Sequence, residues 1–151
     1  MTLCYYLASY HGGKITMYKK IHTFRVKPKQ ELFSAIMQYC RENNITSGIV
    51  IGIIGSVEKA RLNFIAQLPG KYIGADYTGP LEIVCAQGSI AVKDNEVIIH
   101  IHVQLSGHDV CSGGHLAEAI IFSTAEVIIG ELNYPLHRQY DSYTGLNELS
   151  R

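Results

Sequence analysis

The stretch Val97-Ile98-Ile99-His100-Ile101-His102-Val103-Gln104-Leu105 reads VIIHIHVQL. Successive side chains of a strand alternate between its two faces. In this nonamer one face is therefore apolar and the other carries both histidines. His100 and His102 point the same way, close enough to share one ion. Leu105 begins the exit from the strand, and Gly107-His108-Asp109 reads as a turn, with His108 solvated beside Asp109. Gly113-Gly114 reads as a second flexible point, which delivers His115 from a loop to whatever faces it. Two strand histidines plus one loop histidine make a facial three-nitrogen site. Neutral imidazoles suit zinc, nickel, copper or iron. Three protein ligands also leave a coordination position open, as catalytic zinc sites do. The competing reading is packing, since a histidine on a strand face is commonly a surface or hydrogen-bonded residue. Cys111 offers a soft ligand but reads better as a small buried residue. A cupin site also uses His-x-His but adds a Glu shortly after, and Val103-Gln104-Leu105-Ser106 supplies none.

Outward from this strand, turn signals and β-branched runs alternate. Met1–Tyr10 and Thr16–Val26 read as strands broken by His11-Gly12-Gly13. Pro28 suits the first turn of a helix. Leu32, Phe33, Ile36, Met37 and Cys40 recur at helical spacing, so residues 28–42 read as an amphipathic helix ended by Asn43-Asn44. Ser47–Gly55, SGIVIGIIG, is almost wholly apolar and reads as a central strand buried on both faces. Its glycines fit no phosphate-binding pattern and suit close backbone packing instead. Further strands are expected over Ala60–Gln67, Leu81–Ala86, Gly88–Val92, Val97–Leu105 and Ala119–Glu131. Turns are expected at Tyr77-Thr78-Gly79-Pro80, Gln87-Gly88 and Lys93-Asp94-Asn95. Many short-linked strands around one clear helix predict an α+β fold, a largely antiparallel sheet flanked by one or two helices.

The chain of 151 residues suits one domain, 1–151, and can bury a core without staples. Charged residues make up 17%, below the usual proportion of about a quarter, which is compatible with surface hidden in an oligomer. The formal net charge is zero, which argues against a globally basic nucleic-acid binder. The distribution is uneven, because residues 1–30 hold Lys14, Lys19, Lys20, Arg25, Lys27 and Lys29 and no acidic residue. That stripe is either a solvated strand face or a surface for a polyanion. The four cysteines, Cys4, Cys40, Cys85 and Cys111, follow no metal or disulfide pattern. No leader-like or membrane-spanning run is evident. The expectation is a soluble cytoplasmic protein with reduced thiols and no membrane partner.

Several short motifs resemble, in order, the PPC (plants and prokaryotes conserved) domain. They are Gly55-Ser56-Val57 with Ala60, Gly79-Pro80-Leu81-Glu82-Ile83, Gly88, His100 to Ser106, Gly113 to Leu116, and Thr124 to Val127. Tyr140 to Leu146 is similar to the tail of stand-alone prokaryotic members, and the resemblance covers about residues 22–149. Where the family often has Pro-Gly before its first helix, this chain has Pro28-Lys29, and it has no AT-hook. The resemblance implies a homotrimer of antiparallel sheets related in fold to acetolactate decarboxylase. It also implies a metal held by His100, His102 and His115, zinc first and another first-row divalent ion otherwise. A DNA-binding or regulatory role comes with the family by association only, since fold does not carry function.

Two functions follow. In the first, a metal-binding homotrimer associates with DNA, and Lys19, Lys20, Arg25, Lys27 and Lys29 contact phosphates in a salt-dependent way. In the second, an open three-histidine zinc site serves a lyase or hydrolase. Glu126 and Glu82 are then the candidate catalytic carboxylates, because both lie within apolar strands where a buried carboxylate is costly. A third possibility is that the ion only fastens the assembly.

Overall fold

The computed structural model describes residues 17–150. The strand expected over Met1–Tyr10, together with Lys14 and Cys4, lies outside them. The described chain runs β1 (Tyr18–Val26), α1 (Leu32–Glu42), β2 (Gly48–Gln67), β3 (Lys71–Lys93), β4 (Glu96–Ser106), β5 (Cys111–Leu132), β6 (His137–Asp141) and β7 (Leu146–Ser150). This is an α+β domain dominated by one antiparallel sheet, with one short helix among the described residues. The sheet order is β1-β5-β2-β3-β6-β7, and β4 pairs with both β3 and β5. The hydrogen-bonded path β2–β3–β4–β5 therefore returns to β2 and closes a four-stranded ring. Among the described residues the one parallel contact is a single pairing of Val92 with His137.

The strands are longer than their local sequence suggests. The expected segments 47–55 and 60–67 are one continuous β2, and 81–86 and 88–92 both lie in β3. The turns expected at Tyr77–Pro80 and Gln87-Gly88 are strand. Glycine marks close approach here instead of a break: a Cβ on Gly88 would collide with the carbonyl oxygen of His100 on β4. The turn at Asp94-Asn95 is present, with φ of 50° and 65°. Both residues being left-handed suits a two-residue hairpin between Lys93 and Glu96.

The helix starts later than Pro28. Residues 28–29 form a turn, and Glu31 is the N-cap, its carboxylate accepting from the Phe33 and Ser34 amides at 2.9 and 2.6 Å. Leu32, Ile36 and Cys40 form the buried stripe, which packs on β5. Ile99, Ile101, Val103 and Leu105 point into the core with Val50, Leu62, Ile90 and Ile121. The expectation that Ser47–Gly55 is buried on both faces is corrected: Val50 and Ile53 are buried, but Ile51 and Ile54 are exposed. The side of the sheet away from α1 is open. No described helix is long and apolar enough to cross a membrane.

Candidate metal centre

β4 alternates strictly. Ile99, Ile101 and Val103 are buried, and His100, His102 and Gln104 face out. The ring closure then brings β5 alongside, with His115 directly opposite His102 in the β4–β5 register. His115 is not on a loop, as the double glycine suggested. It lies within β5, paired on its other side with Asn63 of β2. Gly113 and Gly114 are strand residues packed against Val103 and against Phe64 and Asn63, and their bare backbones permit that approach.

The three rings meet. Their centroids are 5.0 Å apart for His100–His102, 4.8 Å for His100–His115 and 5.6 Å for His102–His115. One nitrogen from each ring lies within 4.8 Å of the others, a spacing that can surround one ion. Burial lowers the His100 pKa to about 4, helped by His115, Arg138 and His102. Burial also lowers that of His115, with His102 and Arg138 adding to it. Neutral rings with free lone pairs are the form a metal needs. The residues present therefore fit a divalent ion, and an all-imidazole set of three suits zinc or a neighbouring first-row metal.

A fourth residue, unanticipated from the sequence, completes the site. Arg138 on β6 donates through Nη2 to Ser89 Oγ at 2.7 Å and faces His100 Nδ1 at 3.3 Å. Its Nη1 donates to the carbonyl of Asn147 on β7 at 2.7 Å. Its Nε is buried and has no hydrogen-bond partner among the described residues. The β6–β7 hairpin that carries Arg138 is pinned by Asp141, whose Oδ1 accepts from the Tyr143 and Thr144 amides at 2.9 and 2.8 Å. Those bonds, Thr144 first, hold the Asp141 carboxyl below its usual pKa. A half-open recess of about 310 Å³ lies beside the rings, lined among others by Tyr72, His100, His115, Arg138, Asn147 and Glu148.

Other candidates lie elsewhere. Glu82 pairs in register with Ser106, four residues along β4 from His102, and Glu126 with Ile54. Both are exposed, and neither belongs to the three-histidine group. His108 is exposed beside Asp109, as its turn implied. Cys111 is exposed rather than buried and accepts from Gln104 Nε2 at 3.3 Å. Of the basic stripe, Lys19 pairs with Glu131 at 2.6 Å, and Lys29 pairs with Glu58. Arg25 donates to Thr124 Oγ1 at 2.9 Å. Lys20 and Lys27 are exposed.

A β-ring whose closing seam carries three facing imidazoles defines a class of small α+β domains equipped to bind a cation. The chain belongs to the Plants and Prokaryotes Conserved (PCC) domain family, whose model matches residues 14–133. It is similar to a metal-containing protein from Archaeoglobus fulgidus, with 26% identity, a TM-score of 0.81, and coverage of 89% of this chain and 95% of that one. A plant- and prokaryote-conserved (PPC) protein from Pyrococcus horikoshii is also similar, at 26% identity and TM-score 0.81, covering 89% and 93%. A Bacteroides thetaiotaomicron protein described as a "putative DNA binding protein" matches at 25% identity and TM-score 0.81, covering 89% and 98%. The bifunctional protein GlmU of Synechococcus sp. (strain JA-3-3Ab) is 28% identical over 133 residues, 86% of this chain. The chain spans about a fifth of the length of the curated relatives it matches.

Proposed function

We propose that this chain is a metal-binding PCC-domain protein that acts as a homotrimer in a regulatory, DNA-associated role in the cytoplasm. His100, His102 and His115 hold its ion, zinc or another first-row divalent metal. The observation that carries the reading is the convergence of three ring nitrogens within 4.8 Å on one strand seam. The likeness to the metal-containing Archaeoglobus protein supports the ion, and the likeness to the Bacteroides protein supports the DNA role. A segment that makes up about a fifth of a bifunctional relative also fits a binding module. Ile21 and Ile54, exposed on the side of the sheet away from α1, give neighbouring copies an apolar face to cover. The exposed Lys20 and Lys27 are the basic residues best placed to reach phosphates, with Lys19, Arg25 and Lys29 already engaged. Free Cys40, Cys85 and Cys111 fit a reducing compartment.

Metal analysis of purified protein tests the reading. Wild type is expected to hold one ion per chain, and His100→Ala and His115→Ala to lose it. Variants that keep full stoichiometry would remove these ligands from consideration. For DNA, affinity should fall steeply with added salt, and a flat response would rule out phosphate contacts.

The recess beside the rings favours a second reading, a metal-dependent lyase or hydrolase. The ion would polarise a bound oxygen there. His100, His102 and His115 would hold it, and Arg138 would orient the substrate. Glu148 lines the recess and is better placed than Glu82 or Glu126 to move a proton.

A further inference from the structure

We infer that the three-histidine site takes a small carboxylate as its exogenous ligand, with one oxygen toward the ion and the carboxylate seated on the Nε–Nη2 edge of Arg138. The inference rests on the metal reading above and adds the ligand's chemical class.

The argument begins with the hydrogen bond between Arg138 Nη2 and His100 Nδ1, at 3.3 Å. Arginine can only donate, so Nδ1 must present its lone pair to the guanidinium. A neutral imidazole that ligates a metal uses one nitrogen for the ion and keeps a proton on the other. If the ion takes Nδ1, the lone pair that Arg138 uses is gone. If it takes Nε2, Nδ1 becomes a donor and opposes Arg138. Either way, loading the site takes the His100 acceptor away from Nη2, leaving it with Ser89 Oγ. Nε is buried and already has no partner among the described residues. Nε and Nη2 form one edge of the guanidinium fork, and that edge matches the two oxygens of a carboxylate.

Charge points the same way. Three neutral rings leave the ion's two positive charges uncompensated, and the three-histidine group contains no carboxylate. Arg138 adds a third positive charge within hydrogen-bond distance of one ligand. Glu148, the acidic residue lining the recess, offsets one of them. An anion is therefore the natural occupant of the open coordination position. A planar carboxylate suits both the fork and a recess of about 310 Å³.

The test uses the full chain loaded with Co2+, whose visible absorption reports ligand exchange, titrated with acetate and separately with inorganic phosphate. Wild type should bind one Co2+ per chain and respond saturably to acetate. Arg138→Gln should keep the cobalt and bind acetate at least tenfold more weakly, about 1.4 kcal/mol. Arg138→Lys should recover part of the loss. Equal acetate affinity in wild type and Arg138→Gln, with cobalt retained, would overturn the inference and leave the metal reading standing. Tighter binding of phosphate than acetate would overturn the carboxylate class. Loss of cobalt from both Arg138 variants would make Arg138 a structural residue of the hairpin and overturn its ligand role. Failure of wild type to bind cobalt would overturn the metal reading and this inference with it.

Discussion

At the scale of single residues, Glu131 shows how a buried charge is accommodated. Its carboxylate accepts from Lys19 Nζ at 2.6 Å and from His22 Nε2 at 3.1 Å. His22 is itself buried, and its Nδ1 lies 3.3 Å from the Tyr39 hydroxyl, which can donate to it. The Lys19 bond leads in lowering the Glu131 pKa, and His22 adds to it against the opposing effect of burial. A carboxylate with a depressed folded pKa stabilises the fold above the unfolded value near 4.5, and this is lost as pH falls through the lower folded value. Glu131→Gln should therefore flatten the acid limb of a stability–pH curve below about pH 4.5, measured by urea unfolding across that range. An unchanged limb would place the acid sensitivity elsewhere. The residue scale was also where the sequence was most informative. Strand alternation alone pairs His100 with His102, whereas the flexible Gly113-Gly114 loop expected to deliver His115 is in fact part of β5. Arg138 was not legible, because it reaches the site through a hairpin 23 residues beyond His115, a distance at which no periodicity operates. Lys29 shows the opposite case. Its φ of 70° is a left-handed conformation that favours glycine, yet a lysine stands there.

At the scale of elements, α1 starts at Leu32 and not at Pro28 because its cap is unusual. Ser, Thr, Asp and Asn are the common N-caps, and Glu31 gives no such signal. The longer glutamate side chain serves three backbone donors at once: Phe33 N, Ser34 N and, across on β5, Ala119 N at 3.1 Å. It therefore fastens the helix to the sheet as well as capping it. Glu31→Ala should lose about 1 kcal/mol for the cap and about 1–3 kcal/mol for the Ala119 amide left without an acceptor. Chemical denaturation of the variant checks this, and Glu31→Gln should recover much of the loss. β2 and β3 run on through the expected breaks for a related reason. A glycine such as Gly88 reads locally as a turn, whereas the constraint comes from β4 passing over it. Local sequence does not encode which backbone will pass close by.

At the scale of the whole molecule, the closed ring and the helix protect one side of the sheet only. Phe24 stacks on Tyr39 of α1, with ring centroids 3.9 Å apart, so the alternate residues Ile21 and Arg25 face the other way. The register places Arg25 beside Glu126 and Glu126 beside Ile54, so all share that open side. Ile54 is 63% exposed and Ile21 48%, high values for isoleucines on a sheet face. Ile54→Glu should shift the protein to lower mass in sedimentation, with a lower melting temperature that no longer rises with protein concentration. A variant that sediments as wild type does would exclude this face from assembly. The sequence hinted at the surface through its low charge, but it read Ser47–Gly55 as covered on both sides. An apolar strand is read as interior whether its cover comes from its own chain or from another.

The seam between β4 and β5 has one more consequence. His100 and His102 stand on one of its strands and His115 on the other, so any ion they share bridges the joint where the hoop of strands shuts. Occupancy and closure are then coupled, because opening the joint takes away the His115 nitrogen and leaves only the two on β4. Amide hydrogens along His102–Ser106 and Cys111–His115 should exchange more slowly with deuterium once the protein is charged with Zn2+, while those of the distant α1 should keep their rates.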